Sequence, residues 1–134
     1  GQSRNGEGFV LSFENDPNGN LFLFASVYTY DDMGNQAYLI GTSNSFDGMT
    51  VNIDVYITSG RKWGADYDPA EGATVAWGTG TFTFPDCENG TMTLTPNADA
   101  LASGFTEISY PLSRDVGDLE HGITCPTFVN NAAD

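Results

Sequence analysis

Leu21 to Gly41 constrains the fold more than any other stretch of the chain. It reads Leu-Phe-Leu-Phe-Ala-Ser-Val-Tyr-Thr-Tyr, then Asp-Asp-Met-Gly-Asn, then Gln-Ala-Tyr-Leu-Ile-Gly. Two runs rich in aromatic and β-branched residues flank a turn-forming segment, which is the pattern of a β-hairpin. The first run is apolar or aromatic at both alternating positions. A strand with one wet face has no need of that, so a second sheet, the chain's own tail, a ligand or a partner is expected over its second face.

A contrasting strand fixes the sheet type. Met49, Val51, Ile53, Val55 and Ile57 alternate with Thr50, Asn52, Asp54, Tyr56 and Thr58, a period of two that marks a half-buried antiparallel strand. Phe9, Leu11 and Phe13 alternate in the same way ahead of the turn Asn15-Asp16-Pro17-Asn18-Gly19-Asn20, where Pro17 presets φ and Gly19 accepts a positive φ. A loop is expected over Ser43–Gly48, and the longest irregular segment over Ser59–Thr74. Strands are expected at Val75–Phe84 and around Met92 and Leu94, joined as a hairpin in which Asn89-Gly90 supplies positive φ angles. Pro96–Gly104 reads as a small-residue loop. Thr106, Ile108, Tyr110 and Leu112 share one face of a last strand.

Seven to eight strands joined mainly by short turns predict an all-β antiparallel meander. Consecutive hairpins favour up-and-down order and closure into a small barrel, with a two-sheet β-sandwich as the alternative. The 134 residues make one domain with room for a real core. Residues 113–134 read as an extended tail that is loose unless Cys125 ties it down.

Charge narrows the partners. Eighteen acidic residues against four basic ones give a net charge of -14, which repels nucleic acid and anionic membrane surfaces. No apolar run approaches the length of a membrane span or the form of a signal peptide, so no membrane insertion is expected, and a start at Gly1 is compatible with a leader already removed. Aromatic content of 13% argues against disorder. Surface polarity drawn from Asp, Asn, Ser and Thr, with Lys62 the single lysine, suits a secreted protein, extracellular or periplasmic. Two cysteines, Cys87 and Cys125, permit one bridge or two separate thiols. A bridge spanning 125 − 87 = 38 residues would contribute roughly 3–4 kcal/mol on the chain-entropy model.

Several short strings resemble a module of secreted bacterial proteins, often found in tandem. They are Ser3-Arg4-Asn5-Gly6-Glu7-Gly8-Phe9, then Tyr28-Thr29-Tyr30-Asp31 with Gly34-Asn35-Gln36-Ala37-Tyr38-Leu39-Ile40-Gly41, Asp68-Pro69, Trp77-Gly78, Asp86-Cys87-Glu88-Asn89-Gly90, Leu112-Ser113-Arg114 and the closing Cys125. This chain departs from the module's pattern at Glu7, where a histidine is expected, and at Tyr38, where a tryptophan is commoner. The resemblance implies a secreted β domain with a Cys87–Cys125 bridge, and it implies no activity.

Catalytic signals are weak. The sole histidine, His121, stands in the tail, and no G-x-S-x-G string exists. Glu7, Glu14, Asp54 and Glu107 lie on or beside strands, but among so many carboxylates some pair always looks suggestive. No catalytic residue and no cofactor is expected. Calcium is the one cofactor with candidate ligands, Asp66, Asp68 and Glu71, beside the oxygen-rich Asp31-Asp32-Met33-Gly34-Asn35; neither matches an EF-hand, and Asp and Asn are ordinary turn residues. Asn5-Gly6-Glu7-Gly8 precedes a strand rather than a helix, so it is no phosphate cradle.

The leading expectation is therefore an extracellular, non-catalytic binding module. Tyr28, Tyr30, Tyr38, Trp63, Tyr67 and Trp77 would stack on a carbohydrate or other small ligand. Two readings stand beside it: a structural subunit that assembles with copies of itself, and an acidic inhibitor or enzyme acting on basic partners.

Overall fold

Short turns between amphipathic strands leave the chain no route except from each strand to the next, and the sheet follows that rule throughout. The computed structural model describes residues 6–47, 49–86 and 88–113. Strands β1 (Gly8–Asn15), β2 (Leu21–Tyr30), β3 (Gln36–Asp47), β4 (Thr50–Ser59), β5 (Ala73–Thr83), β6 (Asn89–Pro96) and β7 (Ile108–Ser113) pair in sequence order, every pair antiparallel, in one seven-stranded sheet. The sheet curls into a half-barrel. The expected meander is borne out; the Cys87–Cys125 pairing and the tail beyond Ser113 lie outside the described residues. No helix among the described residues is long and apolar enough to cross a membrane.

The concave face holds the core. Leu23, Leu39, Ile53, Phe82, Met92 and Leu94 have almost no exposed surface. They come from β2 to β6, each one register position in two, as the period of β4 requires. Burying side chains of this size contributes about 1.5–3 kcal/mol each. Gly41 and Gly80 share that inner face: a Cβ on Gly80 would stand 2.8 Å from Ile53 Cγ1 and 2.9 Å from Leu94 Cδ2. Large and small residues thus alternate across neighbouring strands. The outer face of the last four strands is hydroxyl-rich, with Thr79, Thr81 and Thr83 opposite Thr95, Thr93 and Thr91.

Three expectations are corrected. The loop placed at Ser43–Gly48 is instead strand as far as Asp47, because a bulge at Asn44 absorbs one residue while pairing with β4 continues from Ser45. Pro96–Gly104 contains a short helix, α1 (Ala98–Ala102), whose start is capped by Asn97 accepting from Ala100 N at 2.9 Å. Gly90 supplies no positive φ: it is buried in β6, paired with Leu112, where a Cβ would meet Phe84 Cδ1 at 2.9 Å. Its glycine is required by ring packing and not by the turn.

The two-faced strand β2 behaves as its composition implies. Leu23, Ala25 and Val27 are buried on the inner face, while Phe22 and Phe24 are half-buried on the outer one. Ser26 is small enough to let Tyr38 lie beside it, with the two hydroxyls 3.2 Å apart, and Tyr38 packs against Tyr28 at 5.1 Å between ring centroids. Tyr28 keeps half its surface exposed.

Candidate functional site

One end of the half-barrel is built differently from the rest. A bulge in β5 sets Val55 opposite Gly78 and Tyr56 opposite Ala76, so Trp77 is the extra residue. Its ring is turned into the core and is 3% exposed. α1 is fastened to this bulge: Asn97 N donates to the Trp77 carbonyl at 2.7 Å, and Asn97 Nδ2 donates to the Ala76 carbonyl at 2.9 Å. Past the helix, Gly104 takes a φ of 94° and brings Phe105 back, its amide bonded to the Ala100 carbonyl at 3.1 Å. Phe105 then packs edge-to-face on Trp77, 5.7 Å between centroids.

A cavity of about 180 Å³ lies at this end. Trp77, Phe105, Leu39, Leu94 and Ile108 line its apolar part, while Glu7, Asp31 and Asp32 line its polar part. Glu7 precedes β1 opposite Thr29, which continues the inner face of β2, and Thr29 Oγ1 donates to Glu7 Oε1 at 2.9 Å. Asp31 is occupied by its turn: Oδ1 accepts from Met33 N and Asn35 N, and Oδ2 from Asn35 Nδ2. Those bonds, the Asn35 side chain first, hold its carboxyl below the usual carboxylate range. The Asp32 carboxylate packs against Gly104, where any Cβ would collide with it.

The indole nitrogen of Trp77 is the anomaly of the site. Nε1 is buried without a hydrogen-bond partner among the described residues. Leaving such a donor unsatisfied costs about 1–3 kcal/mol, and buried donors in native proteins almost always have a partner, from protein, water or ligand.

A second cleft, of about 240 Å³, runs along the seam between β1 and β7, the edge strands of the sheet among the described residues. Phe9, Met92, Ile108 and Tyr110 line it, and with Glu7, Val27 and Thr29 it adjoins the end cavity. Phe9 and Phe13 on β1 are more than a third exposed although they face inward; Phe9 lines the seam, and Phe13 packs edge-on against Phe84 at 5.8 Å between ring centroids.

The six aromatic residues read from the sequence do not form one site. Trp77 lies in the end cavity and Tyr30 lines its rim. Tyr28 and Tyr38 pair on the outer face of β2 and β3, with Tyr28 reaching the seam. Trp63 and Tyr67 stand in the β4–β5 connection, Trp63 97% exposed. Glu7, Asp32 and Phe105 are the residues that sequence reading left out of the binding set; the one signal for Glu7 was its parity with Phe9 and Leu11.

The other candidates are dispersed. Asp68 caps the 3₁₀ turn Pro69–Glu71 by accepting from Ala70 N at 2.8 Å, and Glu71 pairs with Lys62 at 3.3 Å. Among the described residues no three His, Cys, Asp or Glu side chains stand together as a metal site. Glu14 and Glu7 occupy opposite ends of β1, Asp54 is exposed on the outer face of β4, and Glu107 accepts from Thr95 Oγ1 at 3.0 Å. His121 lies outside the described residues. No family model, no curated protein and no solved structure matches this chain.

Proposed function

We propose that this protein is a secreted, non-catalytic binding module that takes a small hydroxyl-bearing ligand, such as the end of a glycan, into the end cavity. The observation that carries the reading is the Trp77 indole N–H: buried, without a partner among the described residues, and on a residue that lines a cavity. A ligand hydroxyl supplies the missing acceptor. The rings of Trp77 and Phe105 offer the apolar surface on which a sugar face packs. The acidic, lysine-poor composition agrees with an extracellular setting.

Calorimetric titration with a panel of mono- and oligosaccharides tests this, comparing the native chain with Trp77→Phe and with a Trp63→Ala/Tyr67→Ala variant. Trp77→Phe keeps an aromatic ring and removes the donor with the second ring, so it should fold with a somewhat lower melting temperature and bind at least about tenfold more weakly, the worth of one hydrogen bond. The loop variant should bind normally. Equal binding by Trp77→Phe, or loss of binding confined to the loop variant, moves the site away from the cavity.

A second reading has its own observation. β1 and β7 are the edge strands of the sheet among the described residues, and β1 exposes Phe9, Val10 and Phe13, so assembly with another copy through a sheet edge is the competing function. Sedimentation at rising concentration separates the two: a sharp monomer throughout leaves the binding module, and a concentration-dependent oligomer supports assembly.

A further inference from the structure

A meander of antiparallel pairs reverses direction at every strand, so its two edges run oppositely only when the strand number is even. Among the described residues seven strands pair in order, each antiparallel to the next. β1 and β7 therefore run the same way, and joining them directly would take a parallel pair unlike any other in the sheet. They face each other across the seam cleft, with Phe9 from β1 and Ile108 and Tyr110 from β7 among its lining. The β1 backbone is aimed into that cleft. Asp16 N donates to Asn20 O in the first hairpin, and stepping along the register by two makes Glu14 and Phe22 the next mutually bonded pair. Phe9 and Leu11, of the other parity, turn their N–H and C=O away from β2 and toward the seam. A strand running against such an edge completes it.

The chain continues from the place where that strand would start. Ser113 ends β7 opposite Asn89, at the end of the half-barrel that carries the β1–β2, β3–β4 and β5–β6 turns. At that end Phe13 and Phe84 meet edge-on, 5.8 Å between ring centroids, which brings β1 close to the far side of the sheet. A strand returning from there runs antiparallel to β7 and to β1 alike. Residues 114–134 lie outside the described residues, and their sequence divides into two kinds. Arg114, Asp115, Asp118 and Glu120 charge the first part. Ile123-Thr124-Cys125-Pro126-Thr127-Phe128-Val129 carries no charge and is β-branched or aromatic at all but Cys125 and Pro126. Its length lies between the 6 residues of β7 and the 8 of β1. A cleft lined mainly by apolar side chains rejects a charged strand and accepts this one.

We infer that residues 123–129 form an eighth strand, antiparallel to β7 and β1, that fills the seam and closes the half-barrel. Phe128 enters the cleft beside Phe9, and Pro126 costs the ladder one donor. The seam and the end cavity share Val27, Thr29, Ile108 and Tyr110, so the same strand walls the cavity. This placement is independent of what the cavity binds, and it leaves no sheet edge for a second copy.

NMR of the isotope-labelled full chain tests it. Expected are antiparallel backbone contacts from residues 123–129 to β7 and β1, and contact between the Phe128 and Phe9 rings. Amides in residues 123–129 should exchange at least about a hundredfold more slowly than those in residues 114–121. Phe128→Asp should lower the melting temperature by several degrees; where that variant does not fold, the contacts and exchange of the native chain decide. Equal exchange in the two segments, or no contact between residues 123–129 and the two edges, overturns the eighth strand. A sample mixing labelled and unlabelled chains separates the remaining case. Contacts seen only between chains overturn closure from within and assign the seam to a second copy.

Discussion

At the scale of single residues, two kinds of position matter most: glycines that must stay glycine, and aspartates that hold turns. Gly78 faces inward from the bulge, and a Cβ there would run into the Thr95 carbonyl. Backbone cannot yield without breaking the β5–β6 ladder, so Gly78→Ala should cost at least about 3 kcal/mol, the upper part of the overpacking range, measured by urea unfolding. Gly80→Ala meets only the side chains of Ile53 and Leu94, which can shift, and should cost about 1–2 kcal/mol. Asp16 and Asp31 carry out one design twice. In Asp16-Pro17-Asn18-Gly19-Asn20 and Asp31-Asp32-Met33-Gly34-Asn35 the aspartate accepts from the amides at the third and fifth positions and from the closing asparagine side chain. Each carboxyl is lowered from its usual value, mainly by that asparagine. A carboxyl lowered on folding stabilises the fold above its unfolded pKa, and the contribution is lost as pH falls through the folded one. Stability should therefore decline from about pH 5 downward, and an Asp16→Asn/Asp31→Asn variant should show a shallower decline. Identical acid limbs in chemical denaturation would remove the role assigned to these turns.

At the scale of elements, α1 is small but holds the site together. Asn97 caps the helix through its side-chain oxygen and reaches the Ala76 carbonyl through its amide, while its backbone N–H bonds Trp77. Asn97→Ala removes both side-chain bonds and should cost about 1–2 kcal/mol in denaturant unfolding. Because α1 carries Phe105 onto Trp77, the variant should also change the Trp77 fluorescence; an unaltered spectrum would separate the helix from the cavity. The turns and most strands were legible from local residues: alternation in β4 and the repeated Asp-x-x-Gly-Asn signal depend on neighbours in sequence. α1 was missed because its five residues leave no helical period to detect. Its remaining signal was Asn97 ahead of an alanine-rich segment. The extension of β3 to Asp47 was missed because the bulge at Asn44 breaks the alternation that would have announced it.

At the scale of the whole molecule, charge and closure dominate. A net charge of -14 on 134 residues repels itself more in the compact state than in the unfolded chain. Salt screens that repulsion, so the melting temperature should rise by a few degrees between low salt and about 0.15 M sodium chloride; a flat response in scanning calorimetry would show the charges to be locally compensated. The seam between β1 and β7 leaves inward-facing Phe9 partly exposed, and any occupant of that seam would bury it. The chain by itself determined an all-β, up-and-down sheet, its turns and the two-faced character of β2, because strand period and turn chemistry are carried by residues within a few positions of one another. Only the tertiary structure decided that Trp77 is an inward bulge residue, that Gly78 and Gly90 are required by a facing carbonyl and a facing ring, and that Glu7, Asp32 and Phe105 meet around one cavity. Those facts depend on register across the sheet, which a single extra residue in one strand resets for every position beyond it.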